Sequence, residues 1–294
     1  KSEAEDLLNK TYSYVDTSSF GPWQNDVCFI GDDAEDIISH MTQASTMGDN
    51  VMNRDPVYNV DKILLDAYQQ VSTAQGDRYP DVNDEIDEKV EKGALLINYT
   101  GHGNQKTLAH EAVVTLSQIN SWKNMDNLPV FVTATCEFSR FDDYEFTSAG
   151  EQILLNSEGG GIALFTTTRI VYSGANFDLN KEFYRHVFER DDDDGKFLKL
   201  GEIIRKTKNG IGSDSNKRNF SLLGDPALTI AIPEYIVKTD TINGESINIY
   251  QDTVGAASEI VVEGHIEERN GNIMNDFNGV IYPEVFDKVI DYTT

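Results

Sequence analysis

A histidine and a cysteine each follow an apolar, β-prone run in this chain of 294 residues. The run Ala94–Gly103 (ALLINYTGHG) carries His102 near its end, and Cys136 follows the apolar part of Pro129–Asp143 (PVFVTATCEFSRFDD). Two such side chains can form a base–nucleophile pair, in which the imidazole takes the thiol proton and the thiolate attacks a carbonyl carbon. This pair predicts an enzyme that works by covalent catalysis.

Glycine flanks the histidine on both sides, at Gly101 and Gly103. Glycine permits backbone angles closed to other residues and lets a substrate carbonyl come close to the chain. We therefore expect the backbone N–H groups of Gly103 and Cys136 to form an oxyanion hole. A structural Gly-His-Gly turn beside an unreactive cysteine is the alternative; the position of both groups at matching strand ends argues against it.

A carboxylate, Asp32, follows a third apolar run, Asp26–Gly31. If that strand lies beside the histidine strand, Asp32 can orient the imidazole and favour its charged form. A solvated turn or a helix N-cap is the alternative role. The covalent chemistry requires no cofactor, but hard oxygen ligands also suggest a calcium site in this loop, formed by Asp32, Asp33, Glu35 and Asp36.

The remaining histidines and the second cysteine are weaker candidates. Cys28 lies inside an apolar run, so we expect an inert core thiol and no bridge to Cys136. A zinc site built from His102, His110 and Cys136 would match no characteristic ligand spacing. Four histidines are less promising as catalytic groups: His40, His110, His186 and His265.

Strands and helices are predicted to alternate through residues 1–232, which is typical of a doubly wound, mostly parallel α/β sheet. The predicted strands are Asp26–Gly31, Ala94–Tyr99, Pro129–Thr135, Ile162–Thr167 and a final one after the turn Gly224–Pro226. The predicted helices are Ser2–Asp16, Ala34–Met47, Val60–Tyr68, Val82–Glu91, Ser117–Trp122, Thr147–Ser157, Asn176–Arg190 and Leu198–Lys208. Parallel strands share one carboxyl edge, so this arrangement brings the candidate residues to a common crevice.

Composition changes in residues 233–294, where short Thr-, Val- and Ile-rich runs alternate with Asn-Gly turn signals. We expect a small antiparallel β domain that ends without a clear closing strand. The formal net charge of the whole chain is −26, with 24 basic against 50 acidic residues. This balance argues against nucleic acid and anionic membranes as partners. No apolar run approaches the roughly 20 residues that span a bilayer.

Four motifs, in this order, resemble the gingipain-type cysteine peptidases, which are relatives of the caspases: NYTGHG, TATC, GGGIALFTTTR and LLGDPAL. The resemblance covers most of the chain, from Ser2 to Ile232. It implies a caspase–haemoglobinase-like fold with Cys136 as nucleophile and His102 as its partner. It also implies an oxyanion hole at Gly103 and Cys136, with Asp32 where a histidine-orienting carboxylate is expected.

Within this family, two segments resemble the PorU-type sortases of the bacterial type IX secretion system: CEFSRFDDYEFTSAGE and GHIEERNGNIMNDFNGVIYP. The resemblance implies cleavage of C-terminal signals from exported proteins and transfer of the new carboxyl end to an amine of anionic lipopolysaccharide. It further implies outer-membrane secretion components as partners, and a place at the outer-membrane surface or in the periplasm of a Gram-negative bacterium. The tail would be an immunoglobulin-like domain.

Two other functions fit the same residues. A secreted endopeptidase would use the same pair and resolve the thioester with water. A noncatalytic scaffold of the secretion machinery would present the caspase-like domain as a surface.

Two departures from the family pattern affect these expectations. A gingipain catalytic unit has two α/β subdomains, and only the second matches here, so we expect the chain to be part of a longer protein. Arg- and Lys-specific members carry an acidic residue in the pocket for the substrate side chain. Asp36 lies near the corresponding place, but its spacing to His40 differs, and strict basic specificity is not inferred.

Overall fold

The described part of the chain falls into two compact units in a computed structural model. The structure describes residues 2–33, 39–191, 193, 195–255, 257–281 and 283. The first unit ends at Ile232 and the second begins at Pro233. Glu35 and Asp36 lie outside the described residues, so their expected roles stay predictions.

Six strands form the central sheet of the first unit. They are β1 (Asp26–Gly31), β2 (Asn59–Leu64), β3 (Leu96–Thr100), β4 (Val130–Ala134), β5 (Ala163–Thr167) and β6 (Phe220–Leu223). Their order across the sheet is β6–β5–β4–β3–β1–β2. Strands β1 to β5 are parallel to their neighbours, and only β6 is antiparallel, against β5. The predicted α/β fold with a mostly parallel sheet is confirmed.

Helices cover both faces of this sheet. They are α1 (Ser2–Val15), α2 (His40–Arg54), α3 (Pro80–Lys92), α4 (Leu116–Ser121), α5 (Ala149–Leu155), α6 (Ser173–His186) and α7 (Leu200–Gly210). Alternate residues of a strand point to opposite faces. Val27 and Phe29 of β1 accordingly share a core with α2, α6 and α7, whereas Cys28 and Ile30 share one with α3, α4 and α5.

Shorter elements complete the first unit. Two hairpins pair Val71–Thr73 with Gly76–Arg78 and Thr107–Leu108 with Val114–Thr115. Four short 3-10 helices occupy Thr17–Ser19, Pro22–Asn25, Leu65–Ala67 and Asn216–Asn219.

The sheet reverses its direction of growth at β1. Strand β2 is added on one side of β1, while β3 and then β4 are added on the other side. Open α/β sheets bind ligands at such a switch point, in the crevice beyond the carboxyl ends of the strands. The loops that follow β1, β3 and β4 all leave the sheet at this edge.

Two predicted elements were wrong. The segment predicted as helix Val60–Tyr68 is strand β2 followed by a short 3-10 turn. Its polar residues hid the strand pattern, because Lys62 binds Asp49 on α2 and Asp61 binds Lys89 on α3, one on each face of the sheet edge. The final strand of the sheet, β6, precedes the predicted turn Gly224–Pro226 rather than following it.

The second unit contains a three-stranded antiparallel sheet. Strand β7 (Ile236–Ile242) lies between β8 (Glu245–Ser246) and β9 (Val262–Glu267). The turn between β7 and β8 is the predicted Asn243–Gly244 pair, whose φ angles are 52° and 81°. Asn-Gly favours such a hairpin turn because both residues tolerate positive φ. The immunoglobulin-like fold of the tail stays a prediction.

Candidate active site

His102 and Cys136 stand at corresponding places beyond two adjacent strands. Strands β3 and β4 are parallel neighbours, and Thr100 pairs with Ala134 at their carboxyl ends. The backbone continues in register for one more residue, since the Gly101 N–H lies 3.4 Å from the Ala134 oxygen. His102 and Cys136 each follow that last pair by two residues. Adjacent strands lie about 4.8 Å apart, so the two loops begin side by side.

Asp32 follows β1 and binds the backbone of the histidine loop. Its carboxylate accepts a hydrogen bond from the His102 N–H at 2.7 Å, and its own N–H donates to the Thr100 oxygen at 3.0 Å. Asp32 is almost fully buried, and this burial raises the pKa of its carboxyl to about 6. This hydrogen bond holds the main chain of His102 in place, and the expected orientation of the imidazole by Asp32 stays a prediction.

The two glycines of the Gly-His-Gly segment are packed too tightly to be replaced by larger residues. A Cβ at Gly101 would lie 2.3 Å from the Asp32 Cβ, and one at Gly103 would lie 2.5 Å from the Thr135 Oγ1. Side chains at either place would force the strand ends apart. The glycines therefore let the histidine loop approach both β1 and the residue that precedes Cys136.

The backbone N–H of Gly103 points away from its neighbouring hairpin. Gly103 forms an antiparallel bridge with Leu108, and the hydrogen bonds of this bridge lie on either side of the pair. Ala109 donates to the His102 oxygen at 2.9 Å, and Asn104 donates to the Thr107 oxygen at 3.0 Å. In a pair of this kind each residue turns its own N–H outward. The Gly103 N–H can therefore serve a ligand in the crevice.

Cys136 begins a sharp turn at the exit of β4. Its half-buried Sγ lies 3.5 Å from the backbone oxygen of Val171. The next residue, Glu137, has a φ of 52° and donates its N–H to the Arg169 oxygen at 3.2 Å. Left-handed conformations are costly for residues other than glycine, and they concentrate at functional sites. The turn presents the thiol beside the segment 169–171.

Two further histidine rings contact the ring of His102. The His110 ring stacks on it, with centroids 4.8 Å apart and an interplanar angle of 18°. The His40 ring meets it nearly at a right angle, with centroids 5.2 Å apart. His40 is buried at the first turn of α2, whereas His110 is exposed. Neither is a strong candidate from the sequence, because nothing in their local patterns indicates proximity to His102.

Three carboxylates from the loops that carry Asp32 and His110 lie close together. Oxygen atoms of Asp32, Asp33 and Glu111 all lie within 4.8 Å of one another. Burial raises the pKa of Glu111, and Asp33 accepts a hydrogen bond from the Tyr79 hydroxyl at 3.2 Å. The donor set consists of hard oxygens and suits Ca²⁺. Glu111 is remote in sequence from the Asp-Asp pair, so the sequence offered no sign of its contribution.

Cys28 lies away from these groups, in the core between the sheet and α3. It is fully buried, and burial raises the pKa of its thiol. Both cysteines are free thiols. Within the described part of the chain, no helix is long and apolar enough to cross a membrane.

Comparison with known proteins identifies one family. The sequence model of peptidase family C25 matches residues 1–231, nearly the whole first unit. None of the curated proteins compared with the chain matches it significantly. The family match confirms the resemblance to gingipain-type peptidases that the four motifs indicated.

Solved structures share the fold of the first unit. The crystal structure of the Arg-specific cysteine proteinase gingipain R (RgpB) matches with a TM-score of 0.63 and 17% identity, covering 81% of this chain and 56% of that one. The complex of RgpB pro- and mature domains from Porphyromonas gingivalis gives 0.64 and 14%, covering 81% and 57%. A third structure, of a protease, gives 0.62 and 15%, covering 92% and 65%. This chain therefore spans less than two thirds of each of them.

Proposed function

The chain belongs to peptidase family C25, and from this premise we propose that it cleaves peptide bonds with Cys136 as nucleophile and His102 as acid–base residue. One observation carries the proposal: the two residues follow the paired strand ends Thr100 and Ala134 by the same number of residues. This register supports a thiol and an imidazole that face one crevice, at the sheet edge where α/β proteins bind ligands.

The first half of the reaction forms a thioester. The imidazole takes the Cys136 proton, and the thiolate sulfur attacks the substrate carbonyl carbon, whose oxygen becomes negative. The N–H groups of Gly103 and Cys136 stabilise this oxyanion, and one such donor is typically worth about 3–4 kcal/mol. The intermediate collapses as the C–N bond breaks, and the imidazolium gives its proton to the leaving amine.

The second half resolves the thioester with a nucleophile. We propose that an amine attacks the thioester carbon, loses its proton to His102 and releases the Cys136 thiolate. The motifs that resemble PorU-type sortases support this transfer step. Under that reading the substrates are exported proteins with C-terminal signal domains, and the acceptor is an amine of lipopolysaccharide. The outer-membrane surface or periplasm, with secretion components as partners, is the matching location.

The mass of the product tests both halves. The protein is mixed with a signal-bearing substrate and a primary amine, and the products are weighed beside those of Cys136→Ala and His102→Ala. An amide adduct made by the wild type alone supports the transferase. A hydrolysed acid alone would leave the endopeptidase and exclude transfer. Cleavage that persists in Cys136→Ala would exclude the whole mechanism, and full biological function of that variant would favour a scaffold.

Calcium is a separate proposal, which the chemistry of Cys136 and His102 does not use. We propose that Ca²⁺ binds the carboxylates of Asp32, Asp33 and Glu111, whose hard oxygens suit it. Calcium should raise the unfolding temperature of the chelator-treated wild type more than that of Glu111→Gln. An equal rise in both proteins would exclude this site.

A further inference from the structure

His110 lies on a turn whose backbone is strained at both ends. Ala109 and Ala112 each have a φ of 57°, in the left-handed region. This conformation is costly for residues other than glycine, so it persists only where surrounding contacts hold it. Between these two alanines the turn carries only His110 and Glu111.

Contacts at both ends hold the turn. The Ala109 N–H lies 2.9 Å from the Tyr99 hydroxyl oxygen and 2.9 Å from the His102 backbone oxygen. At the other end, the Asn83 side-chain amide donates to the Ala112 oxygen at 3.0 Å. The Tyr99 hydroxyl itself donates to the His102 oxygen at 2.6 Å. These hydrogen bonds fix the position of the turn relative to the backbone of His102.

The result of this geometry is the stacked pair of imidazoles. The His110 ring lies over the His102 ring at 4.8 Å and 18°. A hydrogen bond to an imidazole lies near the plane of its ring, so rings stacked at this angle do not point their nitrogens at each other. The contact therefore acts through packing and not through proton transfer.

The hydrogen bond from Asp32 does not by itself orient the His102 side chain. Asp32 binds the backbone N–H of His102, and a bond to the backbone does not set the two side-chain torsions. The residue as a whole is half-buried. The rings of His40 and His110 both pack against the imidazole. Loss of the stacked His110 ring would let the imidazole sample more rotamers and spend less time near the Cys136 thiol.

We propose that His110 is a positioning residue, which holds the His102 imidazole toward Cys136 by ring stacking. The inference rests on the proposed function of His102 and Cys136. It assigns a role to a residue that the sequence gave no reason to choose. A flat aromatic ring at position 110 is sufficient for this role, and the ring nitrogens of His110 are dispensable.

Alkylation of Cys136 by iodoacetamide at pH 7 tests the proposal. Mass spectrometry separates the two cysteines, and buried Cys28 is the internal control for unfolding. The variants are His110→Ala, His110→Phe and His102→Ala. His265→Ala is the matched control, because His265 lies in the second unit. Unfolding temperatures are recorded for every protein.

The expected rates follow from the geometry. An unassisted thiol is only a few per cent ionised at pH 7, so His102→Ala should slow alkylation by about 10- to 30-fold. His110→Ala should slow it by about three- to tenfold, because a misplaced catalytic group loses rate steeply. His110→Phe should restore the wild-type rate to within about twofold, because the stacked ring is retained. His265→Ala should match the wild type.

Each outcome decides one of the two proposals. Slow wild-type alkylation that His102→Ala leaves unchanged overturns the pair itself. Fast alkylation that depends on His102 but not on His110 overturns the positioning role alone. Equal loss in His110→Ala and His110→Phe also overturns it, because the nitrogens would then matter. A lowered unfolding temperature of His110→Ala with increased Cys28 labelling would assign the loss to folding and overturn the positioning role.

Discussion

At the residue scale, the buried carboxyl of Asp32 links the candidate site to the stability of the fold. Burial raises its pKa to about 6, whereas an Asp in an unfolded chain titrates near ~3.9. The folded state therefore holds this proton more tightly than the unfolded state does. The stability that results is fully present below about pH 4 and is lost as the pH rises through about 6.

Replacing this carboxyl should remove that part of the pH dependence. We expect the stability of Asp32→Asn relative to the wild type to increase by about 2 kcal/mol between pH 4.5 and pH 8. Urea unfolding at the two pH values measures the difference. Ser157→Ala, at an exposed position without an ionisable side chain, is the control and should show a constant difference. A constant difference for Asp32→Asn as well would contradict the prediction.

The contact between Gly103 and Thr135 gives a second test at this scale. A Cβ at position 103 would lie 2.5 Å from the Thr135 Oγ1, so Gly103→Ala should cost about 1–3 kcal/mol of stability. The cost should fall by at least about 1 kcal/mol when Thr135→Ala has already removed the obstructing atom. Urea unfolding of the two single variants and the double variant measures this coupling. Additive costs would mean that the clash is relieved elsewhere.

Some of the candidate residues could be predicted from local sequence patterns, and others could not. His102, Cys136 and Asp32 each end an apolar run, and strand ends of a parallel sheet meet at one edge. His110 gave no such signal. It reaches His102 through a turn in which two alanines have positive φ. Alanine rarely adopts positive φ, so the sequence does not predict this turn.

At the element scale, the N-terminus of α5 ties together the two loops of the candidate site. The Ala149 N–H donates to the Gln105 oxygen at 2.7 Å, in the histidine loop. The Gly150 N–H donates to the Phe138 oxygen at 2.9 Å, in the cysteine loop. The first N–H groups of a helix have no partners within the helix, so they are available for such bonds. The start of α5 therefore sets the spacing of both loops.

A capping box defines where α5 starts. The backbone N–H and the hydroxyl of Ser148 donate to the Glu151 carboxylate at 2.8 and 2.6 Å. Ser148→Ala should lower the free energy of unfolding by about 1 kcal/mol, which is typical of a lost N-cap. Glu151→Gln retains an acceptor and should cost less. Urea unfolding compares them with Ser157→Ala, an exposed control; equal stability of Ser148→Ala and that control would contradict the cap.

Helices with one polar face and strands buried on both faces were predictable from the sequence. The amphipathic helices and the fully buried strands β3 and β4 agree with the pattern to within a few residues. Strand β2 lacks the pattern of a buried strand because it lies at the sheet edge, where both faces carry charges. Lys62 and Asp61 find partners on α2 and α3, and those partners are not visible from the segment itself.

At the scale of the whole molecule, the order of strands explains why the candidate site lies where it does. Alternating strands and helices predicted a parallel sheet, and family resemblance supplied its class. The reversal between β1 and β3 emerges only from the assembled sheet. That reversal opens the crevice into which the histidine and cysteine loops project. The reversal cannot be predicted from the patterns of the individual elements.

The net charge of −26 should itself influence the stability of the fold. Repulsion among excess carboxylates disfavours the compact state, and salt screens it as the Debye length falls from ~30 Å at 0.01 M to ~8 Å at 0.15 M. We expect the unfolding temperature at pH 7 to rise with NaCl over this range. Near pH 4.5, where many carboxyls are protonated, the rise should shrink. A fall at pH 7 would mean that salt weakens attractive ion pairs, such as Arg169–Asp142, more than it relieves repulsion.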